Sequence, residues 1–125
     1  MMKGIRHIAL RVRDIGRSAE FYTRLLGMTV EWRPDAGTVY LTSGGDNLAL
    51  HEVDADHIDN SCSPLDHLGF LVSRPEEVDE WAQRLQAGGV ELVQQPKTHR
   101  DGARSIYFRD PDGNLVQLLH HPHMS

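Results

Sequence analysis

Three side chains of this 125-residue chain, His7, His67 and Gln117, pair a metal-ligating chemistry with a recurring position. A neutral imidazole offers one ring nitrogen to a borderline cation such as zinc or iron(II), and an amide carbonyl is a weaker, uncharged oxygen donor. His7 opens the alternating segment His7-Ile-Ala-Leu-Arg-Val, and His67, sixty residues on, opens His67-Leu-Gly-Phe-Leu-Val. The chain has eight histidines, and of its thirteen basic residues only Lys3 and Lys97 are lysines. Arginine's planar fork suits carboxylates and phosphates, but abundance alone decides nothing and position must. A histidine at a strand start can equally bridge backbone groups. What favours ligation is its return at the same place in a repeat.

The repeat covers nearly the whole chain. In residues 7–13, Ile8, Leu10 and Val12 lie on one face and His7, Ala9 and Arg11 on the other, the signature of a strand. Asp14 caps a helix carrying Phe21, Tyr22, Leu25 and Leu26, which Gly27 ends. Strands are predicted over 29–33, 38–43 and 47–52. The same order returns with a strand over 67–72 and a capping box of Ser73 and Glu76 around Pro75. A helix with Val78, Trp81, Ala82 and Leu85 on one side follows, then strands over 90–94, 104–109 and 115–120. Phe21 matches Trp81, Leu25 matches Leu85 and Tyr40 matches Tyr107. The chain therefore reads as one domain, 1–125, made of a βαβββ module over about 4–52, a polar linker over 53–64 and a second module over about 65–121.

With a helix over the apolar face of each module, strand alternation turns the opposite faces into a concavity. Those faces carry His7, Ala9 and Arg11; Asn47, Ala49 and His51; His67, Gly69 and Leu71; and Leu115, Gln117 and Leu119. The small Ala9 and Gly69 leave room there for an ion and a ligand.

Composition narrows the classes. With 39% hydrophobic and 25% charged residues the chain reads as an ordinary globular protein, and a formal net charge of -5 disfavours nucleic acid as a partner. No apolar run approaches the roughly 20 residues that span a bilayer, so no membrane partner is expected. The lone Cys62 can form no internal disulfide, and the opening residues lack a signal-peptide stretch, which makes the cytoplasm the expected location.

The segments His7-Ile-Ala-Leu-Arg-Val-Arg-Asp14, Ala19-Glu-Phe-Tyr-Thr-Arg-Leu-Leu-Gly27, Asp66-His-Leu-Gly-Phe70 and Tyr107-Phe-Arg-Asp-Pro-Asp-Gly-Asn-Leu-Val-Gln117 resemble the vicinal oxygen chelate superfamily. Its members include glyoxalase I, extradiol dioxygenases, methylmalonyl-CoA epimerase, fosfomycin-resistance proteins and bleomycin-binding proteins. The resemblance implies an α+β fold of two tandem βαβββ modules forming a U-shaped, partly open eight-stranded sheet barrel with the helices outside. It also implies a divalent metal (Zn, Ni, Fe, Mn or Co) on His7, His67 and Gln117, with His51 as a candidate further ligand. The cation would act as Lewis acid on a small oxygen-bearing, anionic substrate, in a lyase, isomerase or dioxygenase reaction. The alternative is a metal-poor binding or sequestration protein of the bleomycin-resistance type. Arg11, Tyr107, Lys97 and Arg104 are the expected substrate contacts, with 97–104 as a lid or rim loop, and a homodimer is expected.

Three departures bear on the reaction. Gln117 stands where relatives usually carry glutamate, so the chain lacks the carboxylate that serves glyoxalase I as base. Glu31 and Glu91 are only remote substitutes. Ala49 occupies the place of a fourth ligand, and Ala9 that of the catalytic threonine of fosfomycin-resistance proteins, which speaks against fosfomycin opening.

Overall fold

A computed structural model describes residues 2–54, 56 and 65–124. Most of the expected linker, together with Cys62, lies outside the described residues. The chain divides into two compact units, Met1–Ser61 and Cys62–Ser125.

The first unit runs β1 (His7–Val12), α1 (Ile15–Glu20), a π-helical turn (Phe21–Leu25), β2 (Thr29–Asp35), β3 (Thr38–Thr42) and β4 (Asn47–Glu52). Its sheet order is β1-β4-β3-β2, with β1 parallel to β4 and the other pairs antiparallel. Asp14 caps α1 as expected, its Oδ1 accepting the Arg17 N–H at 3.0 Å. The single helix expected up to Gly27 instead widens at Phe21. The Thr23 hydroxyl there donates to the Ala19 carbonyl at 2.7 Å, and the consecutive aromatics Phe21 and Tyr22 are both buried. Gly27, at φ +78°, takes the left-handed conformation that stops the run. Leu10, Val12, Val39, Leu41, Leu48 and Leu50 are buried with Tyr22, so one face of this sheet is core.

The second unit repeats the order with β5 (Leu68–Leu71), α2 (Pro75–Ala87), β6 (Leu92–Thr98), β7 (Arg104–Arg109) and β8 (Leu115–His120), sheet order β5-β8-β7-β6. Val78, Ala82 and Leu85 of α2 are buried along with Ile106, Phe108, Val116 and Leu118. The capping box does not form. Arg74, not Ser73, is the cap residue, with no side-chain cap bond, and Pro75 enters the first turn with its φ already fixed. The strand expected over 90–94 starts at Leu92 and runs on through Lys97 and Thr98, so the loop contracts to 99–103. Both sheets carry the same irregularity: Val30 faces Leu41 and Trp32 faces Tyr40, while Leu92 faces Phe108 and Gln94 faces Tyr107, leaving Glu31 and Val93 as extra bulge residues.

The architecture is α+β, two four-stranded mixed sheets each with its helix. Among the described residues no helix is long and apolar enough to cross a membrane.

One polar pair ties α2 to its sheet. The Arg104 Nε and Nη2 donate to the two Asp79 carboxylate oxygens at 2.8 and 2.7 Å, and Nη1 donates to the Thr98 hydroxyl at 2.9 Å. These hydrogen bonds hold the Asp79 carboxyl below the usual carboxylate range and push the Arg104 guanidinium up. Because the acid is depressed on folding, its contribution is complete above about pH 4 and is lost as pH falls through the folded-state value. Asp79→Asn is expected to lower stability at neutral pH by about 0.5–1 kcal/mol, the upper part of the range for partly exposed pairs. The difference should vanish in strong acid, as denaturant titrations at the two pH values would measure.

Candidate functional site

The parallel pairing of first and last strands builds the candidate positions in each unit. In the first unit His7 aligns with Asn47, Ala9 with Ala49 and Arg11 with His51, and Tyr40 aligns with Ala49 from the other side. In the second, Gly69 aligns with Gln117, which Tyr107 flanks. The row Ala9–Ala49–Tyr40 thus corresponds to Gly69–Gln117–Tyr107: one unit has a donor in the central strand and the other a methyl group.

His7 Nδ1 lies 2.7 Å from Asn47 Oδ1, and Asn47 Nδ2 donates to Glu31 Oε1 at 3.0 Å. A carboxylate only accepts, so the amide nitrogen must face Glu31 and the amide oxygen must face His7. The proton of a neutral His7 therefore sits on Nδ1, and Nε2 keeps its lone pair. His67 reaches the same state by a shorter route, since its Nδ1 lies 2.6 Å from Asp66 Oδ2. Its ring meets Tyr107 edge-on, centroids 5.5 Å apart.

Gln117 makes no hydrogen bond through its side chain among the described residues, and a Cβ placed on Gly69 would lie 3.5 Å from Gln117 Oε1. The closer neighbour of such a Cβ would be Leu119 Cδ2, at 3.3 Å. Taken unit by unit, each donor has the chemistry of a ligand to a divalent cation: a bare Nε2 on His7 in the first, and a bare Nε2 on His67 with an unengaged Gln117 carbonyl in the second. Among the described residues no three His, Cys, Asp or Glu side chains gather as a metal group.

Beside Gln117 the second unit holds a cleft of about 660 Å³ whose lining includes Lys97, Arg100, Tyr107, Gln117 and Leu119. Lys97 and Tyr107, two expected substrate contacts, therefore share a wall with Gln117. Arg104 does not. It alternates with Ile106 and Phe108 toward the core side of β7, and Asp79 and Thr98 take its guanidinium. Arg100, which the sequence reading did not single out, takes the cleft position instead. Arg11 is exposed on the His7 face, opposite His51 in the ladder. His51 lies four residues along β4 from the His7 partner Asn47, about 13 Å by strand rise, beyond the reach of one ion shared with His7. Its ring lies edge-on to Tyr40, which stacks on Trp32 with centroids 5.4 Å apart.

Loop 99–103, at the cleft, is pinned rather than free. His99 Nε2 lies 2.8 Å from Ser105 Oγ, Asp101 Oδ1 accepts the Ala103 N–H at 3.0 Å, and Asp101 Oδ2 lies 3.3 Å from His121 Nε2. The acid's charge is thus engaged within the loop, while Lys97 and Arg100 have no ion-pair partner among the described residues.

Comparison with known proteins identifies the family. The model of the Glyoxalase/Bleomycin resistance protein/Dioxygenase superfamily matches residues 4–118. The glutathione transferase FosA of Serratia marcescens is 34% identical over 119 residues, covering 94% of this chain and 81% of that protein. The metallothiol transferase FosB of Staphylococcus haemolyticus is 31% identical over 121 residues, covering 94% and 84%. Among solved structures, the fosfomycin resistance protein FosX of Listeria monocytogenes superposes with a TM-score of 0.79 at 25% identity, covering 98% of this chain and 97% of that one.

The Ala103 N–H, and secondarily His121, hold the Asp101 carboxyl below the usual range. Its hold on the loop is complete above about pH 4 and fades as pH falls through the folded-state value. Asp101→Ala is expected to speed amide hydrogen exchange at Gly102 and Ala103 near neutral pH while leaving the β7 and β8 amides protected. Unchanged exchange at Ala103 would show that the carboxylate does not hold the loop.

Proposed function

Because the chain belongs to the Glyoxalase/Bleomycin resistance protein/Dioxygenase superfamily, we propose that it is a metal-dependent enzyme whose His7, His67 and Gln117 hold a divalent cation. Its substrate is a small, anionic, oxygen-bearing molecule attacked by an external nucleophile of the thiol class. The observation that carries the reading is the bare Nε2 on both imidazoles together with an unengaged Gln117 carbonyl. A bound cation supplies Lewis acidity toward a substrate oxygen.

The chain's own residues account for the rest. Lys97 and Arg100, without an ion-pair partner among the described residues, offer positive charge to the substrate's anionic group at the cleft, and Tyr107 presents a hydroxyl beside Gln117. No carboxylate stands in either row, Ala9–Ala49–Tyr40 or Gly69–Gln117–Tyr107, so proton abstraction from carbon has no base there. A thiol ionises near neutrality and needs far less help than a C–H bond. That asymmetry favours addition of a thiol over isomerisation, in line with the transferase names of the relatives. A homodimer, as the family resemblance implies, belongs to the same reading. The sequestration alternative draws on the same departures, the neutral Gln117 and the methyl groups of Ala9 and Ala49.

Metal analysis of untagged protein is the first test. Near-stoichiometric divalent metal that disappears in the His7→Ala, His67→Ala double variant is expected, whereas equal, near-zero metal in both proteins would overturn the proposal. Glutathione consumption with a panel of small anionic electrophiles is the second, fosfomycin being the probe that Ala9 disfavours. Consumption that needs both added metal and His67 supports transfer, and a metal-loaded protein that binds one of the panel without consuming thiol favours sequestration.

A further inference from the structure

The two candidate imidazoles are held by different devices, and the difference lies in a pair of residues to which the family reading gives no role. In the second unit the acceptor for His67 is its own neighbour, Asp66. In the first unit the residue before His7 is Arg6, whose side chain can only donate. The acceptor comes from across the ladder, from Asn47, and a neutral amide can present either end to an imidazole. Glu31 removes that freedom.

How Glu31 comes to be there follows from the bulge in β2. Tyr40 and Asn47 share a face with His7, and strict alternation would let only one of Glu31 and Trp32 point to it. Between the Val30–Leu41 and Trp32–Tyr40 pairs, however, β2 has one residue more than β3. Trp32 can therefore stack on Tyr40 while its neighbour Glu31 reaches Asn47 on the same face. The second unit has the same bulge with Val93 at the extra position, and Leu115, two before Gln117, where the first unit has Asn47, two before Ala49. A bulge shared by both units thus carries a carboxylate only where the histidine lacks an adjacent one.

We propose that Asn47 and Glu31 are positioning residues that lock His7 as the Nδ1–H tautomer, so that Nε2 is permanently available to a divalent cation. Glu31 accepts from the Asn47 amide nitrogen, which turns the amide oxygen toward His7. The inference rests on His7 being a metal ligand, but the lock itself is a property of the metal-free protein.

The test has two readouts. In the metal-free protein above about pH 8, where an ordinary imidazole is neutral, long-range proton–nitrogen NMR correlations of the His7 ring should report the Nδ1–H form. Asn47→Leu and Glu31→Ala should each yield a tautomer mixture. Titration with Zn²⁺ alone should find binding roughly 10- to 100-fold weaker in Asn47→Leu, the usual effect of removing a histidine's outer partner, and weakened to a lesser degree in Glu31→Ala. The polarity-reversed double variant Asn47→Asp, Glu31→Gln keeps an oxygen toward His7 and lets position 31 donate to position 47. It should return both the tautomer and, to within about threefold, the Zn²⁺ affinity.

If Asn47→Leu fails to fold, Glu31→Ala on the exposed strand β2 carries the same comparison. An Nε2–H tautomer in the unsubstituted protein, or weakened Zn²⁺ binding with no change of tautomer, overturns the inference. A locked Nδ1–H tautomer in a protein that binds no Zn²⁺ would instead sink the metal reading and leave the lock standing.

Discussion

Everything at the candidate site depends on the register of one parallel strand pair in each unit. In the first unit Leu10, Val12, Leu48 and Leu50 are buried on one face, and because side chains alternate, that burial determines which residues face the other way. The 2.7 Å contact between His7 and Asn47 exists only in the observed register. A one-residue slip would set Asp46 or Leu48 opposite His7, and the Asn47 amide would then point to the core face. The hydrophobic core therefore acts on the site indirectly, by setting the phase in which a polar side chain meets its partner.

Much of this is legible in the sequence. The βαβββ order, the Asp14 cap, the Gly27 stop and the faces of β1, β4, β5 and β8 follow from periodicity and end signals, which are local. What escapes is what two segments decide together. The bulges that admit Glu31 and Val93 are a mismatch in residue count between neighbouring strands, invisible in either strand alone. Arg104 reads as an anion contact until Asp79, twenty-five residues away, takes its guanidinium. The failed capping box is of the same kind: Ser73 and Glu76 have the right spacing, but the chain enters α2 one residue later, at Arg74. Alternation places Asn47 on the correct face, yet its role depends on Glu31, whose direction alternation alone would misassign.

The two units show how a repeat can diverge without losing its geometry. Gln117 and Ala49 occupy equivalent places beside Tyr107 and Tyr40, and Gly69 and Ala9 lie across from them. Only the second unit keeps a donor in that row, and the cleft lined by Lys97 and Arg100 belongs to the same unit. The first unit contributes instead an imidazole whose supporting partners reach out to an edge strand. In the proposed reading the ligand with the long supporting chain belongs to one unit and the charges offered to substrate belong to the other.

That division bears on which ligands the donors favour. Two neutral imidazoles and an amide leave a divalent cation's charge undiminished by direct contact, whereas a carboxylate at position 117 would remove one unit of it. The carboxylates that support the rings, Asp66 and Glu31, act through a ring or through an amide and a ring, so they make the imidazoles better donors without neutralising the ion. The proposed centre would attract an anion more strongly than one with a carboxylate ligand. On that reading a glutamine at position 117 removes a general base and strengthens the hold on a negatively charged oxygen ligand, which is the physical reason for proposing a reaction whose incoming nucleophile supplies its own reactivity.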